Sequence, residues 1–317
     1  MKKTSILITG GTGFIGANLT HALLSNSSDI HLITQKSSDI WRLKKIRTKI
    51  KFHQVNLTNS KHCGEIIQKI NPDLVFHCAA YGVKHNHTNF EKMIKTNIHG
   101  TLNLFSALST QNVKKIVNLG SVFEYGIKTA NKGFLETDPL TPLTFYGITK
   151  VTQTNIAQYF FKSHSLPVVT LRLFTPYGIL EEKGRLISDI MLALIKGHEF
   201  KLTSPNSVRD FVFVTDVIDA IIKASTGHNV DGEIINIGSG KPITVGGIVK
   251  ICKKFSKVNE NITLDDSKMR DYDLLGGKGF ANIAKAKKKL NWVPTVSIEE
   301  GLKKSYNWYR KNLSYYH

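Results

Sequence analysis

A glycine-rich turn near the start of the chain constrains its fold more strongly than any other feature. The run GGTGFIG occupies residues 10–16, directly after an apolar stretch at Thr4 to Thr9, and residues 14–24 carry apolar side chains at helical spacing. Glycines three residues apart, at Gly10, Gly13 and Gly16, let the backbone turn tightly from strand to helix and approach a pyrophosphate closely. The turn therefore predicts a dinucleotide-binding strand–helix unit.

Apolar stretches typical of buried strands alternate with helical patterns along the first half of the chain. The strand candidates are Ile30 to Thr34, Ile50 to Val55, Leu74 to His77, Ile116 to Leu119 and Val168 to Leu173. The helix candidates between them are Glu65 to Ile70, Glu91 to Leu108 and Tyr146 to Phe161. Strands that alternate with helices pair in parallel through right-handed crossovers. We therefore predict an α/β protein with a doubly wound parallel sheet.

This alternation weakens after about Gly178. The later candidates are helices at Leu186 to Lys196, Asp216 to Ser225, Val245 to Phe255 and Ile298 to Lys311, and a strand at Ile234 to Ile237. Open α/β sheets bind ligands at their carboxyl edge, where a second lobe can close over the site. We predict a dinucleotide-binding domain over residues 1–178 and a smaller substrate lobe over residues 179–317, with some chain crossing back to the sheet.

The net charge of the chain is strongly positive. Its 317 residues include 43 Lys and Arg against 24 Asp and Glu, a formal charge of +19. Such a balance favours anionic ligands, including phosphorylated metabolites and nucleic acid. The lysines are scattered, and the cluster Lys285 to Lys289 alternates with apolar residues, as on a solvated helix face. We therefore expect no nucleic-acid partner.

Cysteine and histidine spacing gives no sign of a metal centre. The three cysteines are far apart and form no CxxC pair, which predicts reduced thiols. His85-x-His87 has no third ligand at a suggestive spacing. The chain also has no run of 18 apolar residues, and the apolar run Ile6 to Ile8 is too short for a signal peptide. We expect a soluble cytoplasmic protein without metal or membrane span.

Motifs spread along the whole chain resemble those of the extended short-chain dehydrogenase/reductase family. They are the glycine turn, Asn97, Ser121, Tyr146-x-x-x-Lys150, the run LRLFTPYG at residues 171–178, Arg209-Asp210-Phe-Val, and Leu290-Asn-Trp292-x-Pro294. The resemblance implies a Rossmann-type sheet, a nicotinamide dinucleotide and a nucleotide-sugar substrate. It also implies a homodimer built through two helices of each subunit. Such enzymes epimerise, dehydrate or reduce nucleotide-sugars.

Tyr146, Lys150 and Ser121 are the predicted catalytic residues. Tyr146 and Lys150 are four residues apart in a helical pattern, so their side chains share one face. A free tyrosine has a pKa of about 10, and a nearby ammonium would lower it and make the phenol a usable acid or base. Ser121 follows a strand, where its hydroxyl can hold the substrate oxygen. The resemblance adds a bond from Lys150 to the nicotinamide ribose.

The cofactor is expected to be NADP, with NAD possible. The second predicted strand ends in Ile33-Thr34-Gln35-Lys36, and no acid precedes Asp39. Lys36 or Arg42 could pair with a 2′-phosphate that a carboxylate there would repel. The expected cofactor contacts are Gly10, Thr12, Gly13, Phe14, Ile15, Gly16, Gln35, Lys36, Arg42, Asn56, Leu57, Ala79, Ala80, Tyr81, Asn97, Tyr146 and Lys150. Asn97 can equally be a hydrogen-bonding residue inside a helix.

The segment after Ser121 bears on the reaction. Dehydratases that resemble this family place Asp-Glu there, whereas this chain has Val122 and Phe123, with Glu124 one position late. Dehydration is therefore disfavoured, and the run GSVFEYG looks similar to nucleotide-deoxysugar 4-ketoreductases. The expected substrate contacts are Ser121, Phe123, Thr175, Arg185, Arg209 and Arg270. Thr175 departs from the asparagine usual in the family, and each arginine can instead be a surface ion-pair partner.

Three functions follow from these patterns. The first is NADPH-dependent reduction of the 4-keto group of a nucleotide-activated deoxysugar, with Tyr146 as proton donor. The second is a nucleotide-sugar 4-epimerase with tightly bound NAD. The third is a non-catalytic regulator that senses the cofactor or binds RNA, against which the intact Ser121, Tyr146 and Lys150 argue.

Overall fold

The computed structural model describes residues 3–24, 29–83, 87–127, 132–197, 199–202, 204–255, 262–264 and 278–316. The strands are β1 (Ser5–Thr9), β2 (Asp29–Thr34), β3 (Lys51–Gln54), β4 (Leu74–His77), β5 (Lys115–Ser121), β6 (Val168–Leu173), β7 (Thr175–Tyr177), β8 (Phe200–Leu202), β9 (Val208–Arg209), β10 (Phe211–Phe213), β11 (Ile234–Ile237), β12 (Ile243–Thr244), β13 (Ile262–Leu264) and β14 (Lys278–Gly279). The helices are α1 (Phe14–Leu23), α2 (Ser60–Ile70), α3 (Phe90–Met93), α4 (Gly100–Leu108), α5 (Phe145–His164), α6 (Leu186–Lys196), α7 (Val214–Thr226), α8 (Val245–Phe255), α9 (Ala284–Leu290) and α10 (Ile298–Lys311).

One sheet organises the described part of the chain. Its strands lie in the order β11-β6-β5-β4-β1-β2-β3, and every pair is parallel. The order reverses between β1 and β4, so a crevice opens there beyond the carboxyl ends of the strands. This Rossmann-type arrangement confirms the predicted doubly wound sheet.

Helices cover both faces of the sheet, which explains its apolar strands. Ile6 and Ile8 of β1 belong to a core that includes residues of α1 and α7. Leu7, which points to the opposite face, belongs to a second core with residues of α2 and α4. Successive side chains of a strand alternate between faces, so a strand buried on both sides must be apolar throughout. The sequence of β1 meets that demand.

Close contacts around the glycine turn leave no room for a side chain at Gly10 or Gly16. Gly10 has φ of 66°, and a Cβ there would lie 2.6 Å from the backbone nitrogen of Ala79. A Cβ at Gly16 would lie 2.7 Å from Cα of Gly11. Side chains at either position would force β1, α1 and the end of β4 apart. The turn therefore brings the amino end of α1 up to the crevice.

The predicted helix Glu91 to Leu108 is not continuous. It divides into α3, a π-helical segment at Ile94–His99, and α4. The π turn contains Asn97, which is fully buried. An inserted residue of this kind re-aims a side chain, and such turns occur often at functional sites.

The chain beyond residue 178 forms a third core but also returns to the sheet. Ile187, Ile190 and Met191 of α6 lie in that core with residues of α8 and α10. β11 pairs with β6 at the edge of the main sheet. Within the described residues, no helix combines the length and the apolar content needed to cross a membrane.

Candidate active site

A cavity of about 540 Å³ occupies the crevice at the carboxyl edge of the sheet. The predicted site residues that line it are Gly10, Thr12, Gly13, Phe14, Ile15, Gly16, Arg42, Ala80, Ser121, Phe123, Tyr146, Lys150, Thr175, Arg185 and Arg209. The walls thus combine the glycine turn, the end of β5, the first turns of α5 and the segment after β7. Residues far apart in sequence meet here because the carboxyl ends of parallel strands share one edge.

Ser121 and Tyr146 lie next to one another in the wall of this cavity. Ser121 ends β5, and Tyr146 lies in the first turn of α5, whose amino end is capped by the Thr144 side chain. Burial raises the pKa of Tyr146 to about 12, against the opposing effects of a hydrogen bond with Ser121 and the charge of Arg185. The phenol is therefore protonated at neutral pH.

Lys150 lies on the same face of α5 as Tyr146. Its Nζ donates hydrogen bonds to the carbonyl oxygen of Leu119 and, at 2.6 Å, to Oε1 of Gln153. Burial lowers the pKa of Lys150 to about 8. The ammonium is thus directed toward β5 and Gln153, and its effect on the pKa of Tyr146 stays a prediction.

Glu124 is committed to a structural role behind Ser121. Its Oε2 lies 2.8 Å from Nε of Arg172 and accepts a hydrogen bond from Thr154. Its Oε1 accepts from the backbone N–H of Ser121 at 2.8 Å. With both oxygens used and the side chain fully buried, Glu124 cannot serve as an acid or base toward a substrate.

Asn97 supports the site from outside the cavity wall. Its amide accepts from the N–H of Tyr81 at 2.8 Å and donates to the carbonyl of Tyr81 at 2.7 Å. It also donates to Oγ1 of Thr149, next to Lys150, at 2.9 Å. Asn97 therefore ties the loop after β4 to α5.

The guanidinium of Arg42 makes three hydrogen bonds within the protein. It donates to Oε2 of Glu182 at 2.6 Å, to the carbonyl of Leu180 at 2.7 Å and to the carbonyl of Thr12 at 3.1 Å. The exposed residue Asp39 lines the same part of the cavity. The cavity here therefore presents a carboxylate beside an arginine that is already paired.

Arg185 forms a second, largely buried pair with Glu181, the residue next to Glu182. Its Nε donates to Oε1 of Glu181 at 2.7 Å, and its guanidinium carbon lies 5.9 Å from the ring centre of Phe14. Oε2 of Glu181 has no hydrogen-bond partner among the described residues. Burial raises the pKa of Glu181 to about 7. The pair places one cation near the glycine turn and Tyr146.

Several predicted contacts lie away from the cavity lining. Gln35 and Lys36 are exposed at the end of β2, and Leu57 is buried in the core below the sheet edge. The others outside the lining are Asn56, Ala79, Tyr81 and Asn97. Arg270 and His85 lie outside the described residues. The roles of these residues in cofactor binding stay predictions.

The acidic lining residues Asp39, Glu181 and Glu182, and the histidine His87, were not among the predicted site residues. Glu181 and Glu182 begin three residues after the end of the LRLFTPYG run, and their closeness to that motif was a usable signal. Asp39 lies five residues beyond the end of β2, too far along the loop for strand-based reasoning to place it. His87 stacks on Tyr81, with ring centres 4.1 Å apart.

The cavity suits a dinucleotide. The glycine turn leaves no side chain between the backbone and the crevice, and Gly13, the residue before α1, provides no side-chain cap for the first N–H groups of the helix. Such an uncovered helix amino end attracts phosphate through its N–H groups and its dipole. The residues present therefore fit a pyrophosphate at the turn, with Ser121, Tyr146 and Lys150 at the far side.

Comparison with known proteins agrees with this geometry. The family model of the NAD dependent epimerase/dehydratase family matches residues 6–238. A UDP-glucuronate 4-epimerase from Thermodesulfobacterium geofontis is 30% identical over 97% of this chain and 96% of its own. A UDP-glucose 4-epimerase from Oryza sativa is 26% identical over 97% of this chain and 82% of its own.

Solved structures show the same relationship. A UDP-glucose 4-epimerase from Thermotoga maritima with UDP-glucose has a TM-score of 0.89 at 27% identity, covering 97% of this chain and 99% of that one. A UDP-glucuronic acid 4-epimerase from Bacillus cereus with UDP-glucuronic acid and NAD has a TM-score of 0.85 at 26% identity, covering 96% and 99%. The resemblance found in the sequence is confirmed. The chain belongs to the NAD-dependent epimerase/dehydratase family, among the extended short-chain dehydrogenases/reductases.

Proposed function

We propose that this protein is a nucleotide-sugar 4-epimerase that retains NAD through the catalytic cycle. The observation that carries this proposal is that two charged residues are already paired within the protein. One could otherwise bind a 2′-phosphate, and the other could otherwise act in dehydration. Arg42 is held by Glu182 and two carbonyl groups, and Glu124 is held by Arg172 and Ser121. Ser121, Tyr146 and Lys150 remain around the cavity.

The environment of Arg42 favours NAD over NADP. A 2′-phosphate would have to compete with Glu182 for the guanidinium and would approach the carboxylate of Asp39. A carboxylate in this region instead suits the hydroxyl groups of a ribose. Lys36 remains the alternative phosphate partner, but it is exposed and outside the cavity lining. NAD is therefore preferred to the NADP expected from the sequence alone.

The absence of a free acid beside Ser121 disfavours dehydration. Elimination of water from a hexose requires an acid near C6 and a base near C5. Val122 and Phe123 line the cavity with apolar groups, and both oxygens of Glu124 are used. Epimerisation at C4 needs only a proton acceptor and donor at the 4-oxygen, which Tyr146 supplies.

The residues of this chain act at that oxygen. NAD, when bound, supplies reversible hydride acceptance at C4. Tyr146 takes the proton of the 4-hydroxyl and later returns it, while the Ser121 hydroxyl hydrogen-bonds the same oxygen. Burial raises the pKa of Tyr146, and the positive charge of Lys150, one helical turn away, would oppose this effect and favour the phenolate that takes the proton. Ser121 and Tyr146 would hold the 4-oxygen in this way whichever face of C4 is turned toward the cofactor.

The protein is also proposed to be a homodimer of two-lobed subunits, with the dinucleotide on residues 1–178 and the sugar nucleotide held mainly by residues 179–317. α4 packs beside α5, and these helices expose Leu102, Ile148 and Tyr159. Phe90 of α3 is exposed next to them. Apolar side chains grouped on adjacent helices are typical of a subunit interface, and the family resemblance implies a dimer through two helices.

A panel of sugar nucleotides tests the function. The purified protein, without added cofactor, is incubated with UDP-glucose, UDP-galactose, UDP-glucuronate and UDP-galacturonate, and the anomeric signals are followed by proton NMR. We expect one C4-epimeric pair to equilibrate from either side, and released nucleotide from the denatured protein to be NAD. A second incubation contains NADPH and a 4-keto-6-deoxy sugar nucleotide. Oxidation of NADPH in that incubation, with no epimerisation in the panel, would instead identify a ketoreductase.

A further inference from the structure

Gln153 connects Lys150 to a buried chain of amide groups. Nζ of Lys150 donates to Oε1 of Gln153 at 2.6 Å. Nε2 of Gln153 donates to Oδ1 of Asn118 at 2.7 Å, and Nδ2 of Asn118 donates to Oγ1 of Thr170 at 3.1 Å. All four side chains are at most 2% exposed. The chain links α5 to β5 and β6, one helical turn from Tyr146.

The chemistry of the ammonium fixes the orientation of this chain. An ammonium carries three donors and no acceptor, so Gln153 must turn its oxygen toward Lys150 and its nitrogen toward Asn118. Leu119 and Gln153 accept two of the three N–H groups of Lys150. Within the described residues the third has no protein acceptor, and Lys150 lines the cavity whereas Gln153 does not. One donor is thereby left for the site.

Gln153 is also a neutral partner for a buried cation. The other titratable or charged groups that act on Lys150, or respond to it, are Glu124, Cys78 and His77. Burial raises the pKa of the Cys78 thiol and lowers that of His77 to about 3, so both are uncharged at neutral pH. Glu124 is already paired with Arg172. The direct contacts of the ammonium are therefore all uncharged.

We propose that Gln153 is a positioning residue for the reaction: it aims one N–H of Lys150 into the cavity and, as an uncharged acceptor, leaves the positive charge of that ammonium available to the site. This inference rests on the proposed function for the role of Lys150. A carboxylate at this position would neutralise the ammonium and hold its proton to higher pH. An apolar residue would leave the buried ammonium with one acceptor fewer and release its proton at lower pH.

Two substitutions at one position test this inference. Two pH profiles are measured: kcat/KM, and NADH binding followed by fluorescence in protein stripped of nucleotide. Each has an alkaline limb, which is the fall in the measured value at high pH. Gln153→Glu is expected to move both alkaline limbs upward by about one pH unit or more. Its turnover at neutral pH should fall roughly tenfold, because the ammonium then favours the phenolate less. Gln153→Leu should move both limbs downward. Gln158→Glu, on the same helix and bonded instead to the carbonyl of Gly232, is the matched control and should leave both limbs in place.

Opposite shifts from one position distinguish positioning from a merely structural role, which would lower activity without moving either limb. If one variant does not fold, the shift of the other decides. Unmoved limbs in the folded variants would overturn the inference. The NADH titration needs no sugar, so its outcome is separate from that of the proposed function: a wild-type protein that binds NADH but epimerises no sugar nucleotide refutes only the latter.

Discussion

Glu124 and Arg172 form a buried ion pair directly behind Ser121, with 2.8 Å between Oε2 and Nε. The pair joins the short helical turn after β5 to β6, and the second oxygen of Glu124 holds the backbone of Ser121. Glu124 follows the predicted substrate contacts Ser121 and Phe123 in sequence, but its carboxylate helps to position Ser121. This relationship supports the proposed epimerase over a dehydratase.

Loss of this pair should destabilise the protein. Removing one partner leaves an uncompensated buried charge, so Glu124→Gln is expected to lower the free energy of unfolding by about 3–5 kcal/mol. Urea unfolding followed by circular dichroism measures the change. Glu91→Gln, which removes an exposed pair with Lys95, is the control and should have no measurable effect. Equal stability of the Glu124 variant and the wild type would contradict the structural role.

Tyr146→Phe should lower turnover by about 10²–10⁴-fold, because it removes only the transferable proton. Binding of NADH, measured by fluorescence titration, should stay within twofold or so of the wild type. Tyr159→Phe on the exposed face of the same helix controls for the loss of a hydroxyl group. More than a tenth of the wild-type turnover in the Tyr146 variant would rule out its role at the 4-oxygen.

Glu181 makes stability depend on pH. Its pKa rises from 4.5 to about 7 on folding because the side chain is buried. The protonated form is therefore favoured in the folded state, and the resulting stability, full below about pH 4.5, is lost as the pH rises through about 7. Relative to Glu181→Gln, the wild type should lose about 3 kcal/mol across that range. Urea midpoints of both proteins from pH 4 to 8 test this, and parallel curves would contradict it.

The exposed apolar face of α4 and α5 should hold two subunits together. Leu102→Glu combined with Ile148→Glu places charges in the proposed interface and should convert the dimer to a monomer, as measured by sedimentation velocity. Leu135→Glu replaces a comparably exposed leucine outside these helices and should leave the dimer intact. A monomeric wild type, or a double variant that still dimerises, would exclude this face.

Local patterns in the sequence were enough to predict the sheet and to select Ser121, Tyr146 and Lys150, which line one cavity. The glycine turn specifies its own geometry, because no other residue fits the contacts of Gly10 and Gly16. Tyr146 and Lys150 are four residues apart on one helix, so helical periodicity alone brings them to one side. The apolar, doubly buried strands likewise carry their pattern in short stretches of sequence.

Pairings between distant segments could not be predicted in the same way. Arg42 meets Glu182 across 140 positions, and Arg172 meets Glu124 across 48. Nothing in the spacing near Arg42 shows that its charge is already used, and so the sequence favoured a 2′-phosphate there. The direction of the Lys150 ammonium likewise depends on the carbonyl of Leu119, 31 residues away.

The central claim is that a hydride leaves C4 and returns to the same carbon within one site. A sugar nucleotide carrying deuterium at C4 tests it most directly, with the epimer examined by NMR and mass spectrometry. We predict an inverted product that keeps its deuterium at C4, with none lost to water and no hydrogen taken up from added unlabelled NADH or NADPH. Loss of the label, or inclusion of hydrogen from external NADPH, would contradict retention of the cofactor and the proposed 4-epimerase.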